Sequence, residues 1–547
     1  MEHYQNPIIP GFAPDPSVVF VDGTFFLVTS SFHLYPGLPI YASQDLKSWT
    51  LMGKIASEPT NSHSGTHTIT GSAINRPHQI DLSNATTHAF PLDTGNTMIA
   101  TAGLWAPTIR HHKGRFYIVC TNCTRGGEAF LTQNFYIYTD DIWANQWSDP
   151  IFVDFKGIDP SLFFDDDDRV YFQGSWELTR ERQPTCTIKQ FEIDITTGRP
   201  LSEIQEIWTG AAKYDTEGPH IYRKDGFYYL IVAEGGTFEH HMLSIARSRS
   251  IWGPFESYEN NPILTSELEI GPIHHTGHGE LFQDATGEWW AVVLGVRDGK
   301  RGRCPIGRET FLTAVDWPQG SWPKIHHPEL TFSRVSGGQP APALDSCFSG
   351  RLLKQACASH QDVYIRNPVP GQFVPSHEGS IVLRASAENL SVAHGSCAFV
   401  GRRQREVECN ATVELLVDAS NLGTDLSAGL AVYKDCHRHA AIMFNHQDSK
   451  IWSIAVNKSR DGGPTIAWSD RVLDASAIQL QIRADEMKYE FLYRTSPDQI
   501  WTMVNSIDTL EMTARDFTGS VFGVYASGQS KGVDRRVRFE EFVVLPM

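Results

Sequence analysis

One short phrase of residues recurs five times along the first part of this chain, and it constrains the fold more than any other feature. Asp15-Pro-Ser leads into Val-Val-Phe-Val-Asp-Gly-Thr-Phe-Phe-Leu-Val, and Ala106-Pro-Thr into Ile-Arg-His-His-Lys-Gly-Arg-Phe-Tyr-Ile-Val. Asp159-Pro-Ser leads into Leu-Phe-Phe, four aspartates and Arg-Val-Tyr-Phe. Gly218-Pro-His leads into Ile-Tyr-Arg-Lys-Asp-Gly-Phe-Tyr-Tyr-Leu-Ile-Val, and His278-Gly-Glu into Leu-Phe-Gln-Asp-Ala-Thr-Gly-Glu-Trp-Trp-Ala-Val-Val. Each copy reads as a strand, a polar turn around Gly or Asp, and a second strand rich in aromatic and β-branched residues. The anchors Pro16, Pro107, Pro160, Pro219 and Gly279 lie 91, 53, 59 and 60 residues apart. A period of that size, made of hairpins rather than helices, indicates a β-propeller, with one copy per blade.

The repeat also places chemistry. If the motif opens the innermost strand of each blade, the residues one or two before each anchor line one end of the central channel. They include Asp15, Trp105, Asp159, Glu217 and His278. An Asp before Pro is by itself an ordinary turn residue. Three carboxylates sharing one small volume are not ordinary, because their mutual repulsion raises at least one pKa and so supplies a general acid. A carboxylic acid facing a carboxylate is the machinery of glycoside hydrolysis. Trp105 offers an apolar face for a sugar ring or serves as core packing. His278 could touch substrate, hold a central cation through water, or complete a hydrogen bond. Two rival readings remain: a bound cation that gathers the carboxylates, and a propeller that binds carbohydrate without turnover.

Bulk properties narrow the class. A chain of 547 residues exceeds one ordinary core and predicts two domains. A formal net charge of −17 argues against nucleic acid or an anionic membrane as partner and suits a neutral substrate. No run of about 18 apolar residues is present, so no membrane span is expected. The nine cysteines form no metal-site pattern. Their odd number and the opening Met-Glu-His-Tyr-Gln-Asn-Pro favour mostly free thiols and an intracellular location, or secretion if a signal has been removed. The histidine pairs, such as His240–His241 and His274–His275, lack the i, i+4 spacing of a helical zinc site.

The repeats occupy residues 1–320, the expected propeller. Within them, residues 56–100 read as a long insertion near the channel mouth. A Pro- and Gly-rich stretch, 321–344, reads as a linker. From 345 to 547 the motif stops and short alternating strands continue, as in Ala411-Thr-Val-Glu-Leu-Leu-Val, which predicts a β-sandwich. The expected fold class is therefore all-β, a five-bladed β-propeller followed by a β-sandwich.

These motifs resemble glycoside hydrolase family 43. The resemblance is carried by Asn6-Pro-Ile-Ile-Pro-Gly-Phe-Ala-Pro-Asp-Pro-Ser, Gly103-Leu-Trp-Ala-Pro, Gly157-Ile-Asp-Pro-Ser, Thr216-Glu-Gly-Pro-His, Thr276-Gly-His-Gly-Glu and Ile306-Gly-Arg-Glu-Thr, which recur in order. It implies an inverting hydrolase with Asp15 as general base, Glu217 as general acid and Asp159 as the residue that modulates and positions the acid. Ser30-Ser-Phe-His-Leu-Tyr-Pro-Gly-Leu-Pro-Ile, Asn75-Arg-Pro-His-Gln, Phe399-Val-Gly-Arg-Arg-Gln and Phe517-Thr-Gly-Ser are similar to the two-domain β-xylosidases of that family, whose sandwich is concanavalin-like. By that resemblance Phe32 and Trp105 wall the first sugar subsite, and Arg76 and Arg308 hydrogen-bond sugar hydroxyls. Phe517 closes the pocket from the sandwich, and His278 lies near a central calcium or its waters. The implied activity is exo-acting β-1,4-xylosidase on xylo-oligosaccharides, with α-L-arabinofuranosidase or bifunctional action on arabinosyl substrates as the alternative. No cofactor is required, and a structural calcium in the propeller channel and a homo-oligomer, as such relatives often form, are both left open.

Overall fold

A computed structural model describes the chain except for residues 55–68, 92–96, 127–128, 179–183, 213, 268–270, 335–360, 375, 377–378, 459–462, 473–474 and 529–534. Each repeat opens a blade at its first strand: Ser17–Val21, Gly103–His112, Gly157–Phe164, Thr216–Lys224 and Ile273–Gln283. Each blade adds antiparallel strands outward, ending in short edge strands such as Thr50–Leu51 and Ile151–Val153. The turns follow from local chemistry. Asp22-Gly23, Lys113-Gly114 and Asp225-Gly226 all have positive φ at both residues, the two-residue turn whose twist matches paired strands.

The five first strands contact one another in cyclic order, so the sheet series closes into a ring. Glu2–Gln5 pairs antiparallel with Thr331–Arg334, and Asn6 donates to the carbonyls of Leu312 and Glu329 while accepting from Leu312 N. The chain start is thereby fastened to the last blade. This moves the expected boundary. Lys324–Ile325 is the outermost strand of the fifth blade, and Thr331–Arg334 is that closing strand, so 321–334 is not linker. The rest of the expected linker, 335–344, lies outside the described residues.

The second domain is a sandwich of a seven-stranded and a six-stranded antiparallel sheet. Strand alternation explains its placement. In the six-stranded sheet, Val400, Leu430, Val432, Ile442 and Val524 fill the sandwich core, whereas Phe399, Ala431, Tyr433, Met443 and Tyr525 point the other way. That second face packs on Phe12, Phe32 and Leu34 of the propeller. Two strand pairings cross the junction: Tyr364–Ile365 with Leu34–Tyr35, and Arg515–Asp516 in parallel with Thr97–Thr101. The expected insertion falls partly outside the described residues. Its described end is the hairpin Thr87–Pro91 and Thr97–Thr101, which carries this second bridge to the sandwich. Among the described residues no helix is long and apolar enough to cross a membrane. The seven described cysteines are all free.

Candidate active site

A backbone irregularity at the anchor of each blade aims the side chains into the channel. Asp15, Ala106, Asp159, Gly218 and His278, the residue immediately before each anchor, all have positive φ, between 35° and 55°. In blades two to five the ladder register shifts at this point. Four of the five are followed by proline, which disfavours helical backbone in the residue before it, so the conformation is held by the fold against local preference. Glycine relieves Gly218 of strain at φ 54°, where a Cβ would crowd the His278 ring at 3.1 Å.

Asp15 is buried. Ser30 Oγ donates to its Oδ2 (2.6 Å) and accepts from Ala106 N (2.7 Å), which locks blade one to blade two. Arg308 Nη1 lies 3.4 Å from Asp15 Oδ1. Burial pushes the Asp15 carboxyl up, but the charge of Arg308, the His278 ring and the Ser30 hydroxyl outweigh it and hold it below its usual range. Asp159, also buried, accepts from Gly218 N at 3.2 Å, so it grips the backbone beside Glu217. Burial and then the charges of Glu217 and Asp15 push Asp159 well up. Glu217 is half-buried. Burial, then Asp215 and Asp15, push it up to about 7. His278 Nδ1 stands 3.7 Å from Asp159 Oδ2 and 3.9 Å from Asp15 Oδ1, and burial pushes that imidazole down.

An aromatic wall rises beside the carboxylates. The ring centroids of Phe32 and Trp105 are 5.9 Å apart, and Phe517 lies 5.9 Å from Phe32 and 5.3 Å from Trp105, edge-on to the indole. Gly103 permits this, because its φ of 111° and a Cβ position 2.1 Å from Phe32 O exclude any side chain where Phe32 and Leu104 pair. Arg308 stacks over both Phe32 and Phe517 and donates to Phe517 O (3.0 Å) and Thr237 Oγ1 (3.0 Å). Its Nε is buried with no acceptor among the described residues. Phe517 is anchored by its neighbour Asp516, which accepts from Arg438 and from Lys434 Nζ (2.9 Å), all buried in the sandwich.

The sequence expectations are met unevenly. Asp15, Asp159, Glu217, His278, Phe32, Trp105, Arg308 and Phe517 are brought together. Arg76 is not. Its guanidinium donates to Trp147 O (2.6 Å), Ser148 O (3.2 Å) and Asp149 Oδ1 (2.5 Å), beside the outer strand of blade two. Its donors are used there, which corrects its expected sugar contact. Ser30, Thr237 and Asp215 shape the site without having been singled out. Of these only Ser30 stands inside a recognised motif.

Below the carboxylates the channel is not open. The residue one position after each anchor forms a second polar ring, Ser17, Thr108, Ser161, His220 and Glu280, all buried. Arg110 enters it and pairs with Glu280 Oε1 at 2.5 Å. Among the described residues no cluster of three or more His, Cys, Asp or Glu is placed to hold a metal ion.

A blind channel holding carboxyl groups tuned in opposite directions beside an aromatic wall defines a glycoside hydrolase. Residues 4–70 and 65–323 match the model of glycosyl hydrolases family 43, and 359–544 match the β-xylosidase C-terminal concanavalin A-like domain. The chain is 30% identical, over 98% of its length and 94% of the relative's, to a non-reducing end α-L-arabinofuranosidase of Bacteroides ovatus. It is 28% identical, over 100% and 98%, to a xylosidase/arabinosidase of Humicola insolens. A solved xylan β-1,4-xylosidase of Bacillus halodurans superposes with a TM-score of 0.81 at 26% identity, covering 99% of this chain and 100% of that one. The chain belongs to glycoside hydrolase family 43.

Proposed function

We propose that this enzyme is an exo-acting β-1,4-xylosidase that removes xylose from the non-reducing ends of xylo-oligosaccharides with inversion. Asp15 is the general base that activates water, Glu217 the general acid that protonates the leaving oxygen, and Asp159 the group that positions Glu217. One observation carries the reading: at the same channel mouth Asp15 is held ionised while Glu217 is pushed up to about 7. A base and an acid are thus present together near neutral pH. Phe517, reaching over from the sandwich, supports exo action because it narrows the pocket to an end group. Hydrolysis by these groups needs no cofactor.

The arabinofuranosidase reading is favoured by the relative from Bacteroides ovatus. Release of nitrophenol from the β-D-xylopyranoside and the α-L-arabinofuranoside, measured side by side, separates the two. Proton NMR of the first-formed sugar from xylobiose tests the stereochemistry: α-xylose is expected, and β-xylose would remove Asp15 from the base role.

The pH profile follows from the same groups. On xylobiose, kcat/KM should fall as pH rises through about 7, when Glu217 loses the proton it must donate. The acid limb should lie far below, because Asp15 is held ionised. Phe517→Ala should lower kcat/KM about tenfold, mainly through KM, since an aromatic contact is worth roughly 0.5–1.5 kcal/mol beyond area. An unchanged KM would remove Phe517 from the subsite.

A further inference from the structure

The family resemblance leaves a channel calcium open, so the residues of the second polar ring decide whether one fits. Arg110 is the exception in the repeat. Three residues after the anchor, the other copies have Val19, Phe163, Tyr222 and Phe282. In their place Arg110 sends a guanidinium across the channel. Nε donates to Leu162 O in blade three (3.1 Å), and Nη1 donates to Ile109 O in its own blade (2.8 Å). Nη1 also pairs with Glu280 Oε1 in blade five, and Nη2 bonds His220 Nδ1 in blade four (3.1 Å). The second oxygen of Glu280 accepts from Ser17 Oγ (2.5 Å) and Val18 N (3.2 Å) in blade one. Every blade is tied to one positive charge. A divalent ion here would meet that charge at close range with its carboxylate already engaged, so the residues present do not fit a calcium.

We propose that Arg110 is the built-in cation of the propeller channel, a positioning residue that replaces a bound metal and holds the five blades in register around Asp15 and Asp159. A neutral His220 that accepts at Nδ1 carries its proton on Nε2, so Arg110 also fixes the tautomer of this ring. Burial and Arg110 together push His220 well below its ordinary value, in keeping with that state. The inference rests on the proposed hydrolytic reading for its activity readout only, since its metal-binding readout stands without it.

The first arm uses the unaltered protein. After dialysis against a chelator, its melting temperature and activity should be unchanged, elemental analysis should find no stoichiometric metal, and calorimetric titration with calcium should show no binding. Stoichiometric calcium, or loss of activity on chelation that calcium restores, overturns the proposal. The second arm is Arg110→Ala, which frees Glu280 Oε1, Ile109 O and Leu162 O, a set of oxygen donors suited to a hard cation. Its kcat should fall about 10–100-fold with KM little changed, a loss of the size seen when supporting contacts are removed. Calcium at about 10 mM, in the range of weak oxygen-ligand sites, should bind the variant and raise both its melting temperature and its kcat. A folded Arg110→Ala with full activity, or one indifferent to calcium, overturns it. If alanine prevents folding, Arg110→Lys keeps a charge in the channel and should be folded, partly active and indifferent to calcium. An Arg110→Lys that needs calcium also overturns the proposal.

Discussion

Asp15→Asn should reduce kcat on nitrophenyl β-xyloside by about 10²–10⁴-fold, the contribution of a positioned general base, while the protein stays folded. Asparagine is the informative replacement. Asp15 has φ 55°, a conformation that asparagine tolerates well and alanine does not. The amide can still accept from Ser30 Oγ, so the link from blade one to blade two through Ala106 survives. What disappears is the negative charge that Arg308 and His278 surround. Asp15→Ala should be equally inactive and also less stable, because it adds backbone strain and leaves the buried Arg308 without its carboxylate. The loss should persist with a dinitrophenyl leaving group, since water still has to be activated whatever departs. Wild-type turnover in Asp15→Asn would end the assignment of Asp15 as base.

Glu217→Gln should show the opposite dependence on the leaving group. On xylobiose, whose departing alkoxide needs a proton, the loss should again be about 10²–10⁴-fold. On a dinitrophenyl xyloside, which departs unaided, it should shrink to a small factor. The fall in activity above about pH 7 should vanish from what remains, because the group that titrates there is gone. Glutamine keeps the size of the side chain and removes the repulsion between Glu217 and Asp159, so the variant should be at least as stable as the parent near neutral pH. Equal losses on both substrates would assign the acid to another residue, and Asp159, also pushed up, would be the next to test.

The repeat made the ring of blades legible because one hydrophobic and turn pattern was written five times with a constant phase. The upper channel ring was legible for the same reason, since Asp15, Asp159 and His278 stand one residue before their anchors and Glu217 two before its own. The lower ring was written just as plainly, one residue past each anchor. It passed unnoticed because Ser, Thr, Ser, His and Glu share burial but no chemistry. Arg76 misled because a motif can fix where a residue sits in the chain but not which carbonyls will satisfy its donors. The partnership of Asp516 with Lys434 and Arg438 left no trace, because it joins single residues from separate sandwich strands. The boundary at 321–334 was missed because Pro and Gly punctuate short edge strands as readily as linkers.

The six-stranded sheet, covered on one face by the sandwich core and over part of the other by the propeller, also bears on the order in which the chain is made. Domains fold as units and the earlier one folds first during synthesis, so the propeller stands complete once Thr331–Arg334 emerges to meet Glu2–Gln5. The sandwich therefore matures against a finished surface. Tyr433, Met443 and Tyr525, which would be an adhesive patch on an isolated domain, find their cover waiting. A gene carrying the two domains in reverse order would make the sticky face first and leave it bare for the time needed to translate five blades.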